Sequence, residues 1–203
     1  MIAYSIHNTN SSTIVDSTEL DLYQYRTYIG EYTVPTSSRN SYWYIENNTV
    51  ISTTGNGNPI DSKLICVEIF GYTPETRTST FSRFTDLPYI NGCSSKQLIT
   101  PNRLGDPTWQ LLLLPPFTSE QSHHIHSTCR IVYVSEGFGK SIIGQEGHTT
   151  DIDLTPGTVI ILDKMVPHHF VTQKEHLLVL PLHVYSSVPS EKIHPMFNGT
   201  HEI

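Results

Sequence analysis

From Trp109 onward the sequence is cut into short pieces: "WQLLLLPPF", "SHHIHS", "RIVYVSEG", "FGKSIIG", "TDIDLTPGTVIILD", "HHFVT" and "HLLVLPLHVYS". Each is an apolar or alternating run closed by proline, glycine or an acidic turn, and nothing between them is long enough for a crossover helix. Parallel strands need such crossovers, so these runs must pair antiparallel. Regularly spaced short strands of this kind predict a sandwich or a small barrel. Composition points the same way. Charged residues make up only 15% of the chain, while 12 glycines and 13 prolines punctuate it, and Thr, Tyr, Ile and Val favour strands.

Roughly the first 95 residues are rich in Tyr, Thr, Ser and Asn and read as irregular hairpins. "SYWYIENNTVIST" predicts two short strands around an Asn-Asn turn, and "SKLICVEIFGY" a buried strand ended by Gly71. "LDLYQYRTYIGEYTV" alternates in part with period two, although the acidic "DSTE" before it could equally cap a short helix. A loose stretch from Asp86 to Trp109 leads into the regular half. The expected organisation is therefore a β-rich extension or degenerate half-domain over 1–95, a barrel over 96–188 and a polar tail over 189–203.

At 203 residues the chain can bury a substantial core. Its formal charge of −7 excludes a protein built to grip phosphate backbones, so no nucleic-acid partner is expected. The first twenty residues lack a basic start with an apolar stretch behind it, and no window approaches the run of about 18 apolar residues that a membrane-spanning helix needs. A cytoplasmic protein without a membrane partner is the expectation. Cys66, Cys93 and Cys129 are odd in number and show no CxxC spacing, which fits reduced, buried thiols. The sequons at Asn10, Asn47 and Asn198 are then chance matches.

"HHIHSTCRIVYVSEGFG", residues 123 to 139, carries the chemistry. On an extended strand, side chains two apart share a face, so His124 and His126 point one way while His123 and Ile125 point the other. Two neutral imidazoles side by side make a half-site for a transition metal. His168, just after Pro167 in "PGTVIILDKMVPHHFV", is the candidate third ligand. His123 and His169 have the opposite parity and belong at the surface or behind the ligands. His148 and His176 read as solvated. His183 reads as a core residue with a cavity role as the alternative, and Trp109 and Gln110 are candidates for the barrel mouth.

With these residues in place, 109–184 resembles a cupin domain. The cupin pattern joins HxH, a glutamate four or five residues on and a Gly turn to a second motif that opens with Gly and carries Pro and His near its end. "HIHSTCRIVYVSEGFG" from His124 to Gly139 is similar to the first motif, and "PGTVIILDKMVPHHF" from Pro156 to Phe170 to the second. The resemblance implies an all-β fold, the cupin-type double-stranded β-helix or jelly-roll barrel. It also implies that His124, His126 and His168 hold one divalent transition metal, Fe(II) foremost, with Zn, Mn or Ni as alternatives.

Two departures stand out. At the glutamate position this chain offers only Cys129 or Arg130, and Asp163 and Met165 replace the second motif's usual Pro and Gly. What remains is a three-histidine site, an arrangement the family has among thiol, diketone and some aromatic dioxygenases. Even-numbered residues from His124 to Val134 share a face if no bulge intervenes, which favours Arg130 as the group that anchors a substrate carboxylate. Cys129 in its place would supply a thiolate and favour Zn or Cu(I). The expected function is a metal-dependent enzyme acting on a small chelating organic acid, thiol or diketone, with a homodimer as the expected assembly. The alternatives are a metabolite-binding regulatory cupin and a metal-free sugar isomerase or epimerase.

Overall fold

The computed structural model describes residues 4–17, 23–103 and 105–185. Among these the regular structure is all strand apart from one 3-10 turn at Ile90–Gly92, and no helix is long and apolar enough to cross a membrane. The first half contains β1 (Tyr4–Asn8), β2 (Thr13–Asp16), β3 (Tyr25–Ile29), β4 (Tyr32–Val34), β5 (Asn40–Glu46), β6 (Thr49–Thr54), β7 (Ile60–Ser62), β8 (Ile65–Phe70) and β9 (Arg77–Thr80). The second contains β10 (Leu87–Pro88), β11 (Ser94–Ile99), β12 (Thr108–Leu114), β13 (Thr128–Gly137), β14 (Gly139–Gln145), β15 (His148–Leu154), β16 (Thr158–Leu162), β17 (His168–Val171) and β18 (Leu177–Tyr185). "LDLYQYRTYIGEYTV" contributes β3 and β4; the "DSTE" and "LDL" residues from 18 to 22 lie outside the described residues.

All pairings are antiparallel. A seven-stranded sheet, β1-β16-β13-β18-β12-β11-β10, faces a three-stranded one, β15-β14-β17. The first half forms a six-stranded sheet, β2-β3-β8-β5-β6-β9, and a two-stranded one, β4-β7. β1 thus leaves the first half and pairs with β16 in the large sheet. The β5–β6 hairpin turns through Asn47 and Asn48, both at positive φ (45° and 58°), the conformation a tight two-residue hairpin requires.

Three apolar clusters order the sheets. Val132, Val134, Ile160, Leu162, Leu177 and Val179 of the large sheet meet Ile143, Leu154 and Phe170 of the three-stranded sheet, and this is the barrel interior. The other face of the large sheet presents Ile131, Tyr133, Ile161, Leu180 and Leu182 to Tyr25, Ile29, Trp43, Val67 and Ile69 of the first half. A smaller cluster, Tyr28, Val34, Tyr42 and Cys66, lies within the first half itself. The large sheet is therefore covered on both faces, which is why "RIVYV", "VIIL" and "LLVLPL" read as continuous rather than alternating apolar runs.

Trp109 corrects one expectation. Instead of lining the barrel mouth, it is 1% exposed within the layer between the halves, its ring 6.4 Å from that of Trp43. Trp109→Ala should lower stability by about 3–5 kcal/mol, because the cavity lies between two sheets that cannot close on it; urea unfolding followed by Trp43 fluorescence measures the loss. The corner from β13 into β14 depends on Gly137. Its φ is +78°, and a Cβ there would lie 1.8 Å from the His176 carbonyl oxygen, so no other residue fits without moving backbone. All three cysteines are buried and none forms a disulfide. The tail from 186 on, with His194, His201 and the Asn198 sequon, lies outside the described residues.

Candidate metal centre

The site is assembled from a strap and two strands. Residues 118–126 run alongside β17: Glu120 N–H donates to the Phe170 carbonyl at 3.0 Å, and His124 and His168 exchange both backbone hydrogen bonds at 3.2 and 2.9 Å. The HxH segment is therefore not a regular strand, as the sequence predicts, but a single bridge between His124 and His168, with β13 beginning only at Thr128. Ser119 bridges Val171 and His124 bridges His168, so the strap spends two residues more than its partner over that interval. This bulge absorbs Gln121, Ser122 and His123. Downstream, Met165 N–H donates to the His126 carbonyl at 2.7 Å and pins the end of the strap.

This scaffold brings His124, His126 and His168 together. Their ring centroids are 4.5, 4.8 and 5.4 Å apart, and one nitrogen from each lies within 4.8 Å of the others. Arg130 enters from β13 on the same face. Its Nη1 donates to His168 Nε2 at 3.1 Å and its Nη2 to His126 Nδ1 at 2.8 Å. Cys129, one residue earlier, points to the opposite face, where its Sγ is 2.8 Å from the Tyr25 hydroxyl and 3.2 Å from the Leu162 carbonyl.

The second ring nitrogens set the tautomers. His168 Nδ1–H donates to the Val166 carbonyl at 2.7 Å, and His124 Nδ1–H to the Ser122 carbonyl at 3.0 Å. Each ring therefore turns an Nε2 lone pair inward, the arrangement that orients imidazole for a metal. Burial keeps the rings neutral: it lowers His124 to about 4 and His168 to about 3, and pushes His126 and His183 well below the ordinary histidine value, with the Arg130 charge adding to each shift. Burial also lowers Arg130 to about 10, so it stays charged at neutral pH.

The chemistry of this donor set fits a divalent transition metal. The His126 Nδ1 and His168 Nε2 lone pairs already converge on a cation, the Arg130 guanidinium, and His124 Nε2 is buried with no hydrogen-bond partner among the described residues. The guanidinium thus occupies the place among these lone pairs that a cation would take.

One residue here, Glu120, escapes the sequence reading, and His183 lies beside the cluster rather than in a separate part of the core. Glu120, 2% exposed, places Oε1 at 3.4 Å from His124 Nε2, and burial raises its carboxyl to about 7. The cupin pattern directs attention downstream of HxH, whereas Glu120 lies four residues upstream. His183 pairs with Arg130 in the β13–β18 register, and its ring is 6.3 Å from that of His126. It has no backbone partner for its ring: Nδ1 is 3.4 Å from Thr128 Oγ1, and Nε2 is buried and unpartnered among the described residues.

The remaining histidines sort by face. His123 and His169 lie behind the ligands, with His123 Nδ1 2.9 Å from His169 Nδ1 and His123 Nε2 on the Gly144 carbonyl. His148 is exposed. His176 is half-buried, 3.7 Å from Glu136, rather than solvated.

No protein-family model matches the sequence, and no curated protein does. Solved structures do. A cupin 2 conserved barrel domain protein from Leptotrichia buccalis superposes with a TM-score of 0.59 at 17% identity, covering 89% of this chain and 96% of its own. HEPD from Streptomyces albus, with 2-hydroxyethylphosphonate and Fe(II) bound, gives 0.58 at 8% identity, covering 98% and 80%. Salicylate 1,2-dioxygenase from Pseudoaminobacter salicylatoxidans, as adducts with gentisate, gives 0.57 at 9% identity, covering 89% and 80%. At such identities the likeness concerns the fold, and it extends over both halves of the chain. Together with the antiparallel barrel whose mouth carries the HxH segment and His168, it establishes that this chain has the fold of the cupin superfamily.

Proposed function

We propose that the chain is a mononuclear metal-dependent enzyme of dioxygenase type, acting on a small chelating organic acid, thiol or diketone, with Fe(II) as its metal. The observation that carries this reading is the convergence of two imidazole lone pairs on a buried cation, with a third imidazole, unpartnered at Nε2, beside them. Fe(II) in HEPD, together with the aromatic acid that salicylate dioxygenase carries in its adducts, supports the choice of metal and substrate class. Three neutral imidazoles leave a divalent metal its full charge, and the metal when bound supplies open positions for O₂ and for a chelating anion.

The residues of this chain then divide the work. His124, His126 and His168 hold the metal, and the Nδ1–H bonds of His124 and His168 to backbone carbonyls fix those two rings. Arg130, released from His126 and His168, offers its fork of N–H donors to a substrate carboxylate. A permanent positive charge beside a divalent metal favours anionic substrates over neutral ones, so organic acids rank first. Phe170, whose ring is 6.1 Å from that of His168, and Ile143 give the centre an apolar wall.

Metal analysis of tag-free protein tests this reading. One iron per chain is expected, lost in His126→Ala, with oxygen uptake on a panel of organic acids, thiols and diketones that disappears in the same variant. Protein free of metal in both forms overturns it. The Arg130 bonds favour one second reading, a regulatory cupin that binds an organic anion without metal, the guanidinium serving as the only cation. Equal binding of such an anion before and after chelator treatment would select it.

A further inference from the structure

Glu120 is a buried carboxyl of the barrel that is only partly satisfied. Its side chain is 3% exposed, and Oε2 has no hydrogen-bond partner among the described residues. Oε1 faces His124 Nε2 at 3.4 Å, and that nitrogen is a lone pair because Nδ1 carries the ring hydrogen to the Ser122 carbonyl. When Glu120 is ionised, two acceptors look at each other across a gap suited to a cation. The backbone holds them there: Glu120 N–H is bonded to the Phe170 carbonyl, His124 is bridged to His168, and the two-residue bulge between them turns both side chains inward.

We infer that Glu120 is a ligand of the metal held by His124, His126 and His168. Resting on the metal centre proposed above, this assignment supplies from upstream of HxH the carboxylate that the usual cupin motif takes from downstream, where this chain has Arg130. The spacing to His124 agrees, since two ligand atoms each about 2.0–2.2 Å from one metal stand roughly 3–3.5 Å apart, and the Glu120 side chain would turn toward His126 and His168 to complete the set. The chemistry agrees as well, because a carboxylate cancels one of the metal's two positive charges and offsets the Arg130 guanidinium in the same buried volume. It also uses one coordination position, which leaves fewer for substrate and O₂.

Co(II), titrated anaerobically into the tag-free, chelator-treated chain, tests the assignment through affinity and visible absorption, with no need for a substrate. Glu120→Gln keeps the shape and removes the charge. It is expected to bind Co(II) at least about 10- to 100-fold more weakly than the unmodified chain, the range already seen when only a supporting partner of a ligand is lost, and to shift the Co(II) absorption bands. Thermal unfolding of metal-free Glu120→Gln should match or exceed that of the unmodified protein, since a buried carboxylate with one unpartnered oxygen is gone, so weaker binding would not reflect a damaged fold. Unchanged affinity and unchanged bands in Glu120→Gln, with binding lost in His126→Ala, overturn the Glu120 assignment and leave the metal centre standing. Absence of Co(II) uptake by the unmodified chain overturns the centre itself, and the Glu120 assignment with it.

Discussion

The metal-free protein should lose on the order of 5 kcal/mol of stability between pH 7 and pH 4.5. Four buried imidazoles drive this. His124 and His168 are lowered to about 4 and about 3, and His126 and His183 lie lower still, each by burial first. In the unfolded chain all four titrate near 6.5. Between that value and their folded values the unfolded chain binds protons that the folded chain refuses. Stability therefore rises with pH in this window, is complete above about pH 7, and is lost as pH falls through 6.5 toward the folded values. Glu120 acts in the opposite sense. Raised to about 7, it takes up its proton in the folded state first and returns part of the loss as pH falls. One carboxyl against four imidazoles leaves the net slope positive. Urea unfolding of chelator-treated protein at pH 7.5, 6.5, 5.5 and 4.5, followed by tryptophan fluorescence, measures it, and a flat profile would contradict the burial of the cluster. Because metal binding requires deprotonated ligands, the loaded protein should resist acid until the metal leaves and then unfold over a narrower interval.

Arg130→Met should bind metal at least about 100-fold more tightly than the unmodified chain, equivalent to about 2.7 kcal/mol. In the metal-free protein the guanidinium occupies the lone pairs of His126 and His168, so loading must first break two charge-assisted hydrogen bonds. It must then tolerate a unit charge near a double one, a repulsion of roughly 8 kcal/mol at 4 Å and an effective dielectric of 20. Movement of the long side chain relieves part of this, and methionine removes it all at similar length. The same variant should lose discrimination in favour of carboxylate substrates, seen as a raised KM for acids with little change for neutral diketones. Competition with a coloured chelator gives the affinity. Equal or weaker binding by Arg130→Met would mean that the guanidinium supports the metal site rather than competing for it.

Legibility in the sequence varied with how local the cause was. The Asn47-Asn48 turn, the end of β8 at Gly71 and the strand content of the second half follow from turn chemistry and short apolar runs, which act within a few residues. The spacing of HxH to His168 was readable because both motifs flank strands that pair directly. By contrast, the position of Trp109 depended on what covers the outer face of the large sheet, and that cover comes from residues roughly 40 or more positions earlier, such as Trp43 and Ile69. Alternation on β13 separated Arg130 from Cys129, but the bulge that turns Glu120 inward has no mark in the sequence. It is defined by the backbone of β17, through Phe170 and His168.

By itself, then, the sequence determined an antiparallel all-β chain with three histidines at barrel-motif spacing, because side-chain periodicity and turn preferences are written in neighbouring residues. Only the tertiary structure decided which cation now sits among those histidines, which carboxylate faces His124 and which aromatic residues join the halves. Those outcomes depend on distances between segments far apart in the chain, and such distances exist only once the sheets have packed.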